Sequence, residues 1–172
     1  MKKFLVCLLI VSLIIVTAGC SNNGSIHTDN TGNTDSTDNT QVAAQMDIAA
    51  LKASIIQQFN VEDSMDLPKD RLLDMYGFAL EDIKTSACYI TMGGAFIEEI
   101  ILVETIDAAA AERIVQKLET KLSDAKSQAQ NYDAETYAML QDCKVQKTDT
   151  YVALFISGNA PTMQQMFDDA LK

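Results

Sequence analysis

The apolar positions from residue 45 onward fall into two periodicities. Ile48, Leu51, Ile55 and Phe59 recur at helical spacing and predict an amphipathic helix over 45–59. Pro68 followed by Asp70, Leu72, Leu73 and Met75 predicts a short second helix, because proline and acid suit a helix start. Gly77 is its expected stop. A strand is predicted over 84–92, where Cys88, Tyr89, Ile90 and Thr91 have strand composition, and Gly93-Gly94 reads as the turn after it. The next run, 95–104, is apolar on both faces around Ile100–Val103, as in a strand inside a sheet. Glu98-Glu99 interrupts its front, where a bulge or loop fits. Asp107 opens a long helix to about Ala129, with Ala111, Val115, Leu118, Leu122, Ala125 and Ala129 as its apolar stripe. Glu112, Lys117, Lys121 and Lys126 are expected to face water. Residues 131–140 are ambiguous and suit a short helical connector. A weak strand over 142–147, a turn at Thr148-Asp149 and a strong strand over 151–157 follow. Pro161 starts a last helix with Met163, Met166, Phe167 and Ala170 on one face. The predicted order is α-α-β-β-α-β-β-α. That order argues an α+β domain over 45–172, an antiparallel sheet of about four strands with helices packed on it.

Residues 1–20 follow a different pattern. Lys2 and Lys3 precede an apolar run, Phe4 to Val16, broken only by Ser12. The run is shorter than the ~20 residues a stable membrane-spanning helix needs, and it suits the apolar core of a signal peptide. It ends in the small residues Thr17-Ala18-Gly19 directly before Cys20. A cysteine thiolate is the soft nucleophile that a lipid donor can alkylate. Ala18-Gly19-Cys20 resembles the bacterial lipoprotein signal, the lipobox, although Thr17 stands where that signal usually has leucine. The resemblance implies cleavage between Gly19 and Cys20 and diacylglyceryl transfer to Cys20. Residues 1–19 are then a signal peptide, and the protein is held by its lipid on the extracytoplasmic face of the cell membrane.

From Ser21 to Thr40 the chain is almost wholly Ser, Asn, Thr, Gly and Asp. Such a composition cannot bury enough apolar surface to offset chain entropy, so residues 20–44 are expected to be a flexible tether. Asp29, Thr31, Asn33 and Asp35 superficially resemble a calcium loop, but the sixth position lacks glycine and the twelfth lacks glutamate. His27, the sole histidine, lies here without metal-ligating neighbours.

The formal net charge is -11, and loss of Lys2 and Lys3 makes it two units more negative. That charge disfavours nucleic acids and anionic bilayer surfaces as partners. Of four cysteines, Cys7 lies in the leader and Cys20 is the lipid site. Cys88 and Cys143 can pair in an oxidising compartment or stay as buried free thiols, and spacing alone leaves both open.

Candidate chemistry is sparse. A nucleophile needs a base nearby, and His27 is in the tether. Ser123 and Lys126 stand three apart, on what reads as the solvated side of the long helix. Glu98-Glu99, with Glu104 beyond, is the densest carboxylate group, yet adjacent strand residues point to opposite faces. Asp168-Asp169 sits late in the last helix, against its dipole. No phosphate loop, metal site, cofactor site or catalytic constellation is expected.

The segments "LDMYGF", "MGGAFIEEIILVE" and "YVALFISGNAP", with the long helix between the last two, resemble a family of small Gram-positive lipoproteins, the domain-of-unknown-function family numbered four-three-five-eight. The likeness covers about residues 45–171 and implies no activity. The expectation is a membrane-anchored extracytoplasmic lipoprotein. Its domain would be a non-enzymatic binding or protein-interaction module with an envelope partner. A carboxylate hydrolase and a solute-binding lipoprotein are the alternatives.

Overall fold

A computed structural model describes residues 45–93 and 97–172. The leader, the Cys20 cleavage site, the tether with His27, and Gly94 of the hairpin turn lie outside the described residues.

Helix α1 spans Ile48–Phe59. Asp47 caps it, its carboxylate accepting the N–H groups of Ala49 and Ala50 at 3.0 and 2.9 Å; such caps satisfy donors that have no partner in the first turn. Asn60 ends the helix in the left-handed region, φ 48°. Strand β1, Ser64–Leu67, precedes α2, Lys69–Tyr76. Gly77 closes α2 at φ 68°, where a Cβ would be strained. A short 3-10 turn, Leu80–Asp82, leads into β2 (Ile83–Ser86), β3 (Cys88–Thr91) and β4 (Glu99–Thr105). Helix α3, Ala108–Tyr132, is capped by Asp107, which accepts the Ala110 N–H at 2.7 Å. Asp133 breaks α3 with extended backbone and caps α4, Ala134–Gln141, through the N–H and hydroxyl of Thr136. Strands β5 (Val145–Thr148) and β6 (Tyr151–Ile156) and helix α5 (Ala160–Asp169) complete the chain.

All strand pairings are antiparallel, in the order β1-β3-β4-β6-β5, with β2 also on β4. The α+β class and the antiparallel sheet are as the sequence predicts. The strand count is six rather than about four, and the order is α-β-α-β-β-β-α-α-β-β-α. Three differences account for this, one being α4, which occupies the stretch that the pattern leaves ambiguous. The predicted strand over 84–92 is divided at Ala87 into β2 and β3, which lie in line along β4; the Ala87 N–H still donates to the Leu102 carbonyl at 2.9 Å. Strand β1 is additional. It is four residues long and buries only Leu67, so it leaves no alternating apolar signature.

Helices cover both faces. Glu99 of β4 meets Tyr76 of α2 and Lys121 of α3. Glu104, of opposite parity on the same strand, meets Tyr151, whose hydroxyl accepts the N–H of Met46 beside α1. Residues of one parity therefore face α2, α3 and α4, and those of the other face α1 and α5. Central strands β4 and β6 are buried nearly end to end for that reason. In α5, Met163 and Phe167 are buried and Met166 is partly buried, but Ala170, predicted on that face, is exposed at the C-cap.

Asp82 is buried and its carboxylate accepts from Arg113 of α3, with the Nε contact at 2.8 Å. The guanidinium hydrogen bonds hold the Asp82 carboxyl below its ordinary value. A carboxylate lowered in the folded state contributes stability above its unfolded pKa and loses it as pH falls through the folded value. Asp82→Asn is therefore expected to lower the melting temperature at pH 7. Its deficit should shrink as wild type is acidified below about pH 4, and thermal melts of both proteins at descending pH check this.

Candidate functional site

The segments that carry the family resemblance converge at one end of the sheet. Tyr76, the last residue of α2, stacks on Phe78 with ring centroids 5.4 Å apart. Its hydroxyl donates to Glu99 Oε2 at 2.7 Å, and Lys121 Nζ lies 3.1 Å from Glu99 Oε1. The same ammonium sits 5.0 Å from the Tyr76 ring centroid, a cation–π contact. Burial, then the Glu99 charge, raise the Tyr76 pKa far above the ordinary phenol range. Tyr76 is thus a neutral hydrogen-bond donor, and the Tyr76–Glu99–Lys121 cluster is held shut by its own contacts.

Beside this cluster a groove of about 410 Å³ opens between α3, α4 and the sheet. Ala125, Ala129, Leu140 and Ile156 supply apolar wall, and Glu99 and Lys121 close one side. Ile97 and Tyr132 also line it and are 59% and 91% exposed. Large apolar side chains left in water at a groove mark a contact surface more often than isolated ones do.

Glu98 lies across the sheet from Glu99. It accepts the Ser157 hydroxyl at 2.6 Å, and its N–H donates to Thr91 Oγ1 at 2.9 Å. Glu98 and Glu99 are consequently not a convergent pair for acid–base work on one substrate. Glu104 accepts from Lys84 at 2.6 Å. Asp168 accepts from Gln146 at 2.8 Å and Asp169 from Gln165 at 3.0 Å, so both late acids of α5 are engaged in local contacts.

Ser123 and Lys126 both line a cleft of about 490 Å³ against β5, together with Cys143 and Lys144. Their side chains are not joined. Lys126 Nζ donates to the Cys143 carbonyl at 3.4 Å, and Ser127, not Lys126, bonds the Ser123 carbonyl. Cys88 and Cys143 are both buried, each as a free thiol. Burial pushes the Cys88 thiol up to about 12 and raises Cys143 as well, which suits inert apolar packing. Among the described residues there is no cluster of three or more His, Cys, Asp or Glu able to hold a metal, and no helix long and apolar enough to cross a membrane.

The sequence pattern puts Lys121 on the water side of α3, whereas in the structure it is partly buried against Glu99 and the Tyr76 ring. Leu118, Leu122 and Ala125 flank it on the apolar stripe, and that position at the stripe's edge was the available signal. Its meeting with Tyr76 and Glu99 depends on tertiary packing alone.

A family model described as a domain of unknown function, DUF4358, matches residues 57–157. No curated protein and no solved structure matches the chain.

Proposed function

Since this chain belongs to the DUF4358 family, whose description assigns no activity, we propose a role from its own residues: a lipid-anchored extracytoplasmic lipoprotein whose domain is a non-enzymatic interaction module of the cell envelope. In this reading residues 1–19 are removed as a signal peptide, Cys20 carries the lipid, and residues 20–44 space the domain from the bilayer. The Lys2-Lys3 start, the apolar run and Ala18-Gly19-Cys20 support the anchor. The observation that carries the interaction role is the α3–α4 groove, where Ile97 and Tyr132 stay in water while the nearby reactive groups are tied to one another.

A solute-binding lipoprotein is the second reading. The groove volume falls within the ~300–1,000 Å³ of small-molecule sites. A bound solute would raise the melting temperature in a ligand screen.

The anchor reading predicts that protease added outside intact cells cuts the tether and frees a folded fragment of about residues 41–172. Immunoblots of cells and supernatant check this. Protection of the chain until the cells are lysed would contradict an extracytoplasmic location.

A further inference from the structure

The domain is polarised along the sheet. The chain enters at the end where Met46 donates its N–H to the Tyr151 hydroxyl at 3.1 Å, beside Glu104 near the end of β4. Helix α3 begins at that same end, directly after β4, and runs 25 residues to Tyr132. At 1.5 Å per residue this carries Tyr132 about 37 Å away. Three of the exposed large apolar residues lie at the far end: Tyr132, Ile97 in the groove with it, and Met92 on the facing arm of the hairpin, 65% exposed. Ile106 is exposed at the Met46 end, and Met65, Leu73 and Met75 are exposed on β1 and α2.

The charge there is mainly acidic. Asp133 lines the groove, Asp124 is exposed in the adjoining cleft together with Lys117, and Glu62, Asp63 and Glu135 are exposed in the cleft beside the hairpin. The Thr136 hydroxyl and N–H hold the Asp133 carboxyl low, so it is ionised at neutral pH. The cation lining the groove, Lys121, is already paired with Glu99. An occupant must therefore offer apolar surface to the walls and positive charge to the rim. A second copy of this chain, at a net charge of -11, is repelled, and so is an anionic lipid surface.

We propose that the end of the domain remote from Met46 docks a basic polypeptide segment, which seats an apolar side chain in the α3–α4 groove beside Ile97 and Tyr132 and sets its lysines or arginines against the acidic rim. This rests on the interaction-module reading above and deepens it by naming the partner's chemistry. The proposed tether joins the domain at the Met46 end, so this surface is remote from the point where the chain enters.

The test uses the full chain, purified from membranes in non-ionic detergent, and fluorescein-labelled twelve-residue peptides read by anisotropy. One peptide places lysines around a central tryptophan; a second has glutamates in place of the lysines. The lysine peptide is expected to bind, more weakly as salt rises, and the glutamate peptide to bind at least about tenfold more weakly. Tyr132→Ser, at a residue almost wholly in water, should keep the wild-type melting temperature and weaken the lysine peptide about tenfold or more, as loss of an aromatic anchor does. Equal binding of the two peptides would overturn the charge assignment. Unchanged binding by Tyr132→Ser would overturn the location. Direct binding of a fluorescent phosphatidylglycerol by wild type without peptide, weakened by Tyr132→Ser, would reassign the surface to lipid and also overturn it. None of these outcomes bears on whether Cys20 is lipidated, so failure of this inference and failure of the anchor are separately visible.

Discussion

Cells making the Cys20→Ser chain are expected to hold no processed form of it in the membrane fraction. Serine keeps the size of the side chain and removes the thiolate that takes the lipid in the anchor reading. Each buried CH₂ of an acyl chain contributes about 0.8 kcal/mol, and two chains or more make attachment stable. Without them the strongly acidic chain has no attraction to an anionic bilayer. High-salt washing of sedimented membranes should leave wild type bound, while the variant appears in the soluble fraction or persists as a longer precursor with its leader. A fully processed variant that still sediments with the membrane would mean that something other than Cys20 lipid holds it.

Phe155→Ala should cost about 3–5 kcal/mol, as deletion of a buried ring generally does. Phe155 is wholly buried on β6, and its register partner is Ile100 of β4. Its parity is that of Tyr151, which places it under α1 and α5. A domain of this size has about 5–15 kcal/mol in all, so the variant should sit near its unfolding threshold at 37 °C. Ile97→Ala, in contrast, should change stability by no more than about 0.5 kcal/mol, because Ile97 is mostly in water. Urea titrations of both variants against wild type check the pair. A small loss for Phe155→Ala would mean that its face is not covered by α1 and α5.

Where a local pattern is sufficient, the sequence predicts the fold well. The stripe of α3 runs through Ala111, Leu118, Leu122 and Ala129, and these are buried. Pro161 falls in the first turn of α5, and Gly77 ends α2 in the left-handed conformation it was expected to supply. The ambiguous stretch before Leu140 is helical because Asp133 both ends α3 and caps α4, a local signal obscured by the mixed composition around it. Features that depend on distant contacts were not legible. Strand β1 exists because residues 64–67 lie against β3, not because of its own composition. The interruption at Ala87 is likewise set by pairing with β4.

The same division applies to the site. Alternation correctly warned that Glu98 and Glu99 need not converge, and they lie on opposite faces. That Glu99 would recruit Tyr76 from 23 residues earlier and Lys121 from the far helix could not be read from any spacing. The groove itself is a gap between elements, shaped by how α4 folds back on α3 at Asp133. A linear pattern shows which residues are apolar, but not which of them remain uncovered once the helices have packed.

The central claim, a folded domain held by lipid at one sulfur, is tested most directly by the mass of the N-terminal peptide released from protein extracted from its native membrane. The account predicts a peptide beginning at Cys20 that carries a diacylglyceryl group on the thiol. A peptide beginning at Met1, or one beginning at Cys20 with an unmodified thiol, would contradict it.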